Sequence, residues 1–256
     1  MRVISWNMAG AGFHTATTHD DAWRWLTTET DFDIALLQES TPPQWVFDQF
    51  PVVIHNPKYL QSGKRWGNSI ICREDNYRQF NLDSEHPWLE RISGAVTVAQ
   101  PIDTDGIWLI NVHSNASSLP QELFLALHDL SVTHCLPKKI WELEVATHFL
   151  RPILEGKQFV FGGDLNSGHL FDTLNHYDNN KIMFENMRQQ GFIDLRLEHS
   201  DSEQQTYFKK NKGPYQLDHL FGDVKTAAST TRWEVLSHVA KDLELSDHAP
   251  VIVEIN

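Results

Sequence analysis

Asp164 and Asn166 stand two residues apart, just after the apolar run Phe159-Val160-Phe161 and the pair Gly162-Gly163. Asp supplies an anionic oxygen ligand and a base, and Asn a neutral donor and acceptor. If the chain is still extended there, both side chains point the same way. Such a pair at the end of a buried strand suits a hard cation or a water under activation. Taken alone, the stretch also reads as a polar turn, with the two glycines ending the strand and allowing a close approach. The same arrangement recurs along the chain. Asn7 follows Val3–Trp6, Glu39 follows Ile34–Leu37, His113 follows Ile107–Val112, and Asp247-His248 stand just before the apolar stretch at 249–255. Asp218-His219 interrupt another short apolar run at 216–221. Each has a structural alternative: a turn former at Asn7, a solvated strand end at Glu39, a satisfied buried imidazole at His113. Their shared position at strand ends argues for one polar cleft on a rigid base.

The elements that would carry these residues alternate strand-like and helix-like patterns. Strands are expected at 3–6, 34–37, 69–72, 95–99, 107–112, 159–161, 216–221, 233–239 and 249–255. Asp20 and Asp21 can cap a helix running to about residue 30 with Trp23 and Leu26 inside. Residues 138–154 place Ile140, Leu143, Thr147, Leu150 and Leu154 on one stripe, which Pro152 should kink or end. A further helix is expected over about 181–190. Residues 114–137 show no clean periodicity and read as a long excursion of the kind that often carries specificity. No linker, repeat or low-complexity tract divides the chain, so one domain over 1–256 is expected, built as a layered α/β sandwich.

The totals narrow the function. With 41% hydrophobic and 21% charged residues, the chain has the composition of a soluble globular protein. No apolar run approaches a membrane span, so no membrane partner is expected. The opening residues lack the apolar region and cleavage site of a secretory signal. Two cysteines, Cys72 and Cys135, make no disulfide framework and suit a reducing cytoplasm. A net charge of −13 argues against a broad basic surface for nonspecific duplex binding. Acidic residues that hold a divalent cation would reverse the field locally.

Trp6-Asn7, Leu37-Gln38-Glu39, Gly163-Asp164-Leu165-Asn166, Leu217-Asp218-His219 and Ser246-Asp247-His248-Ala249-Pro250 occur in this order. Together they resemble the motifs of the endonuclease/exonuclease/phosphatase (DNase I-like) superfamily over nearly the whole chain. The resemblance implies a four-layer α/β sandwich, two mixed β-sheets face to face and flanked by helices. It also implies a divalent-metal phosphoesterase site at one end. His at position 113 is similar to DNase I-like nucleases, sphingomyelinases and inositol phosphatases; exonuclease III-like repair enzymes usually have Tyr, so abasic-site repair is less favoured. Gly67-Asn68-Ser69-Ile70 looks like the segment whose Asn supports that His. Arg91 looks like a phosphate-contacting Arg of the nuclease branches, its alternative being a surface cation. The flanking basic residues of 5-phosphatases are absent, since Ser167-Gly168 follow Asn166.

The resemblance assigns Mg²⁺ or Mn²⁺ to Glu39, with Asn7 sharing that shell or bonding a phosphate oxygen, and Asp247 as an outer or second ligand. Asp164 would orient or deprotonate water, and Asn166 would donate to the phosphate. Asp218 would pair with His248, which serves as a general base or a cationic phosphate contact. His113, supported by Asn68, would meet the scissile phosphate. Alternation turns His219 away, and it is expected to be structural. Trp66, beside Lys64 and Arg65, can meet a nucleotide or pack on the sheet rim. The expected activity is metal-dependent hydrolysis of nucleic-acid phosphodiesters, DNA first. The alternative is a small or lipid phosphoester of inositol-phosphate or sphingomyelin type, which the net acidity favours.

Overall fold

A computed structural model of the chain describes residues 1–10, 16–59, 65–82, 95–115, 118–128, 136, 139–197 and 199–256. Arg91, Lys64 and Cys135 lie outside the described residues, as do the side chains of Arg65 and Trp66.

Strand β1 (Arg2–Asn7) shows why two layers of sheet form. Its residues alternate between two apolar surroundings. Val3 joins one core cluster, whereas Ile4 and Trp6 join another. A strand buried on both faces must be covered twice. Six strands make the first sheet, in the order β11-β12-β1-β2-β4-β3. These are β2 (Ile34–Ser40), β3 (Val52–Tyr59), β4 (Arg65–Cys72), β11 (Thr230–Val235) and β12 (Val251–Ile255) besides β1. The second sheet runs β5-β6-β7-β8-β10-β9. Its members are β5 (Tyr77–Gln79), β6 (Val96–Pro101), β7 (Trp108–His113), β8 (Phe159–Asp164), β9 (Ile193–Asp194) and β10 (Asp218–Gly222). Both sheets are mixed: β1 and β2 pair parallel, as do β7 and β8, and the other pairings are antiparallel.

Val3, Leu36 and Ile70 of one sheet meet Leu109, Val160 and Leu220 of the other in the central core. Outside the first sheet, Trp23 and Leu26 of α1 (Ala16–Glu29) and Val46 of α2 (Gln44–Gln49) cover Ile4, Trp6 and Leu37. Outside the second, α4 (Glu142–Leu154), with Leu143 and Leu150, covers Ile110, Phe159 and Phe161. The other helices are α3 (Gln121–His128), α5 (His169–Asn175), α6 (Asn179–Gln189), α7 (Val224–Ser229) and α8 (Ser237–Lys241). Full burial of a side chain such as Phe161 contributes about 1.5–3 kcal/mol, so these three cores dominate the stability. No helix among the described residues is long and apolar enough to cross a membrane.

Several boundaries differ from expectation. α1 begins at Ala16, so Asp20 and Asp21 lie inside it rather than capping it; Asp20 instead pairs with Arg24 one turn on, at 2.8 Å. α4 starts at Glu142 rather than at 138, and ends as expected at Leu154, two residues past Pro152. Residues 236–239 do not extend strand β11 but lead into α8. The excursion at 114–137 contains α3. Asp218 and His219 begin β10 rather than interrupt a strand. Gly162 and Gly163 do not end β8, which continues to Asp164.

The reason for those glycines is space. A Cβ on Gly162 would lie 2.0 Å from the His219 carbonyl oxygen. One on Gly163, at φ +144°, would lie 2.0 Å from the Val112 oxygen and 2.8 Å from Gln38 Nε2. Both obstacles at Gly163 are fixed, one backbone and one buried. Gly163→Ala is therefore expected to destabilise the chain by roughly 3 kcal/mol or more. That corresponds to a fall of roughly 10 °C in Tm, read by thermal unfolding. Gly156→Ala, also at positive φ (+72°) but with nothing within 4 Å of the new Cβ, is the control and should cost far less.

Candidate active site

Alternation along the strands builds three tiers between the sheets. The lowest is apolar: Val3, Ile34, Leu109 and Val160. Two residues on in these strands stand Ser5, Leu36, Asn111 and Gly162, with Leu220 opposite Gly162 and Gln38 one level up beside Asn7. Gln38 Nε2 donates to Asn111 Oδ1 at 2.7 Å, and Asn111 Nδ2 donates to the Leu37 and Ser69 carbonyls, each at 2.9 Å. Asn111 belongs to the second sheet and all three partners belong to the first. The top tier holds Asn7, His113, Asp164 and Asp218. His113 faces Asp164 in the β7–β8 register, and Asp218 faces Asp164 in the β8–β10 register, so the three form a row across adjacent strands.

Glu39 needs a different device. Strict alternation would send it with Ala35 and Leu37 toward α1. The β2–β4 register slips between Leu37 and Ser40, and Glu39 takes a left-handed backbone with φ +46°. A bulge of this kind re-aims a side chain. Glu39 Oε1 then lies 3.4 Å from Asn7 Nδ2 and 3.7 Å from His113 Nε2.

Asp164 is the centre. Asn7 Nδ2 donates to its Oδ2 at 2.8 Å, and the Asn166 backbone N–H donates to its Oδ1 at 2.9 Å. His113 Nε2 stands 3.7 Å, and His248 Nε2 3.8 Å, from the same Oδ2. Burial drives the Asp164 carboxyl above the usual carboxylate range. His248 and His113 pull it down, Asp218 pushes it up, and the Asn7 hydrogen bond pulls it down; the net direction is upward. Asn166, itself at φ +49°, also bonds the Ser114 carbonyl at 2.9 Å and Asp164 Oδ2 at 3.2 Å.

His248 Nδ1 bonds Asp218 Oδ2 at 2.8 Å. Burial alone would lower the pKa of this imidazole, but the Asp218, Asp164 and Asp247 carboxylates outweigh it and raise it to about 10. The loop carrying His248 is fixed to β1. Ser246 Oγ donates to the Asn7 carbonyl at 2.7 Å and accepts the His248 N–H at 3.0 Å, while Trp6 Nε1 donates to the His248 carbonyl at 2.9 Å.

Asn68 is buried one strand away. Its Nδ2 donates to the Ala95 carbonyl at 3.0 Å, the same oxygen that accepts the His113 backbone N–H at 2.7 Å. It thus meets the His113 strand through that shared oxygen. Asp247 is half-buried, and its carbonyl accepts the Phe208 N–H at 2.7 Å. His219 is turned to the outer face, with Nε2 2.9 Å from the Ser167 carbonyl oxygen.

One residue at the site carries no signal in the sequence. The Tyr207 ring lies 4.9 Å from that of His248, centroid to centroid. Burial and the Asp247, Asp164 and Glu39 carboxylates raise its phenol to about 12, so the hydroxyl stays protonated among anions. Its loop is held by Thr206 Oγ1, which accepts the Leu217 N–H at 2.9 Å and the Asp218 N–H at 3.2 Å.

The donor set fits a hard divalent cation. Ligand atoms of Asp164, Asp218 and His248 all lie within 4.8 Å of one another. Asp218 Oδ1 is buried with no hydrogen-bond partner among the described residues, a costly state for a carboxylate oxygen that a cation or its water would relieve. Glu39 presents a further carboxylate at the rim. Asn7 enters the cluster through its amide nitrogen, since its Oδ1 accepts the Ala9 N–H at 2.9 Å.

Two mixed six-stranded sheets with helices on both outer faces make a DNase I-like four-layer α/β sandwich. The chain is similar over 100% of its length to the 3′-5′ exonuclease NExo from Neisseria meningitidis, covering 100% of that chain at 19% identity and a TM-score of 0.71. The 3′ phosphatase NExo from Neisseria, bound to a product DNA hairpin, matches at 18% identity, 100% and 99% coverage and a TM-score of 0.71. An AP endonuclease from Archaeoglobus fulgidus matches at 18% identity, 100% and 99% coverage and a TM-score of 0.72. These likenesses concern the fold. No family model and no curated protein sequence matches the chain.

Proposed function

We propose that the chain is a metal-dependent phosphodiesterase that hydrolyses nucleic-acid phosphodiester bonds, with DNA as substrate. The observation that carries this is Asp164 Oδ2, hydrogen-bonded by Asn7 at 2.8 Å and standing 3.7 and 3.8 Å from two imidazole nitrogens. The solved structures of similar fold support it: one is a 3′ phosphatase bound to a product DNA hairpin and another an AP endonuclease.

A raised carboxyl between two imidazoles is an acceptor for the proton of an attacking water, a role that is strongest when the pKa approaches the working pH. The Asp218, Asp164 and Asp247 carboxylates raise the His248 pKa and so favour the imidazolium, which serves as a cationic donor to a phosphate oxygen. His113 faces the same space, and Asn166 keeps the Asp164 carboxylate in position. Mg²⁺ or Mn²⁺ is assigned to Glu39, with Asp164 and Asp247 as further carboxylates; when bound, the ion would polarise a phosphoryl oxygen and offset the charge growing on it. A reducing compartment, the cytoplasm, suits Cys72, a buried free thiol whose pKa burial pushes up to about 12.

Incubation with plasmid and single-stranded DNA in Mg²⁺ or Mn²⁺ is expected to give cleavage, and EDTA to abolish it. The net charge of −13 favours a second reading, a small or lipid phosphoester. Turnover of inositol phosphates, sphingomyelin or nucleotides with intact DNA in the parallel reaction would replace the first reading with the second.

A further inference from the structure

The loop at residues 208–214 stands beside the active site, and the contacts at its base put it there. The Thr206 and Tyr207 N–H groups both donate to the Tyr215 carbonyl, at 3.0 and 3.1 Å, which draws the two ends of the loop together. Tyr207 forms a β-bridge with His248, and the Ala249 N–H donates to the Thr206 carbonyl at 2.8 Å. One side of the base is thus sewn to the turn that carries His248. On the other side the Tyr215 ring lies 5.2 Å from that of Phe171 in α5, the helix that follows Asn166. At the tip, the Lys212 N–H donates to the Lys209 carbonyl at 3.1 Å and Asn211 takes φ +65°. Residues 209–212 of this tight turn are all exposed.

The turn is strongly basic. Lys209, Lys210 and Lys212 put three cations in four residues of a chain whose net charge is −13. None of the three pairs with a carboxylate among the described residues, whereas the exposed Arg24, Arg188 and Arg232 each do. Lys241 adds a fourth cation at the loop, its Nζ 5.0 Å from the centre of the Phe208 ring.

Charge in this form selects its partner. A small anion is held by buried donors that converge on it. Exposed lysines are point charges on flexible stems, each worth little alone. They gain by number along a polyanion, where every phosphate neutralised releases condensed counterions. A net-acidic protein repels a polyanion as a whole, so a local basic patch is what would draw one to its cleft.

We propose that the 208–214 loop, with Lys241, is an interaction surface for the sugar-phosphate backbone of a DNA strand, taking phosphates other than the scissile one. The strand's being the substrate rests on the function proposed above; its binding to the loop does not.

The test is fluorescence anisotropy of a labelled single-stranded oligonucleotide in Mg²⁺, with Asp164→Asn as the background so that cleavage does not remove the ligand. The combined change Lys209→Ala, Lys210→Ala and Lys212→Ala is expected to weaken binding about tenfold or more at about 0.1 M salt. The slope of log Kd against log salt should fall by about 2, three contacts at about 0.7 each. Thermal unfolding should not change, since all three side chains are exposed. The control, Arg78→Ala with Arg151→Ala and Lys225→Ala, removes the same charge from exposed positions elsewhere; Arg151 and Lys225 line a cavity with Phe159, at the other end of β8 from Asp164. It should bind like its parent, because charges more than about 10 Å from the strand are screened at that salt. With Asp164 restored, the lysine changes should raise KM for the oligonucleotide and leave turnover of bis(p-nitrophenyl) phosphate, too short to reach the loop, unaltered. No binding by the parent, an unchanged salt slope, or an equal loss in the control overturns the proposal. So does a loss of binding to phosphatidylserine vesicles with oligonucleotide binding intact, which would make the loop a membrane contact. Loop-dependent binding without cleavage would remove the proposed function and leave this surface standing.

Discussion

Asp164→Asn is expected to lower kcat on DNA by about 10³–10⁴-fold, the upper part of the range for losing a positioned general base. The substitution keeps shape and removes the charge. The parent carboxylate is buried, and its raised pKa means that the fold bears a cost for holding it ionised. Asn removes that cost. It also sets an amide nitrogen against Asn7 Nδ2 or the Asn166 groups, where the parent accepts three hydrogen bonds. The two effects oppose, so Tm should move by only a few degrees while activity collapses. Steady-state cleavage of a labelled oligonucleotide, with thermal unfolding alongside, reads both. A variant that turns over like the parent would sink the role given to Asp164.

Asp218→Asn is expected to lower kcat by about 10²–10⁴-fold, as in other sites where a buried carboxylate orients an imidazole. The bond of 2.8 Å to His248 Nδ1 is the one being altered. Stability gives an independent reading with a definite sign. The folded-state pKa of His248 is raised from 6.5 to about 10, so its contribution is fully present below 6.5 and is lost as pH rises through about 10. In EDTA, the gap in unfolding free energy between parent and variant should therefore narrow from about pH 6 to about pH 10. Urea titrations across that range measure it. A gap that widens with pH would mean that Asp218 and His248 do not form a charged pair.

Much of this site could be read before any coordinates. Asn7, His113 and Asp164 end strands that are plain as short apolar runs, and alternation carries them to the inter-sheet face. Glu39 was legible as a residue but not in its aim, because a bulge is a property of two paired strands and leaves no mark on one of them. Asn68 was legible as a neighbour of His113, though not the shared Ala95 oxygen through which they meet. Tyr207 was hidden, since its loop has no period and is placed by Thr206 and by the 246–249 turn. Strand β3 escaped notice because Pro57 and its polar neighbours break the apolar pattern. It is an edge strand of the first sheet, where a missing N–H is tolerated. Helices α1, α4 and α6 were found, with ends shifted by a few residues, whereas α2, α3, α5, α7 and α8 were not.

Asn111 has a consequence for how the molecule fails. Apolar surfaces resist separation but offer little against sliding, whereas three directional bonds from one side chain act as a rivet through both sheets. Glu39 rides on one plate and His113 with Asp164 on the other, so their alignment leans on that rivet together with the Asn7–Asp164 and Asn68–Ala95 bonds. Warming or mild urea should therefore disable turnover at conditions where far-ultraviolet circular dichroism still reports an intact sandwich. Asn111→Leu should widen the interval between the two losses.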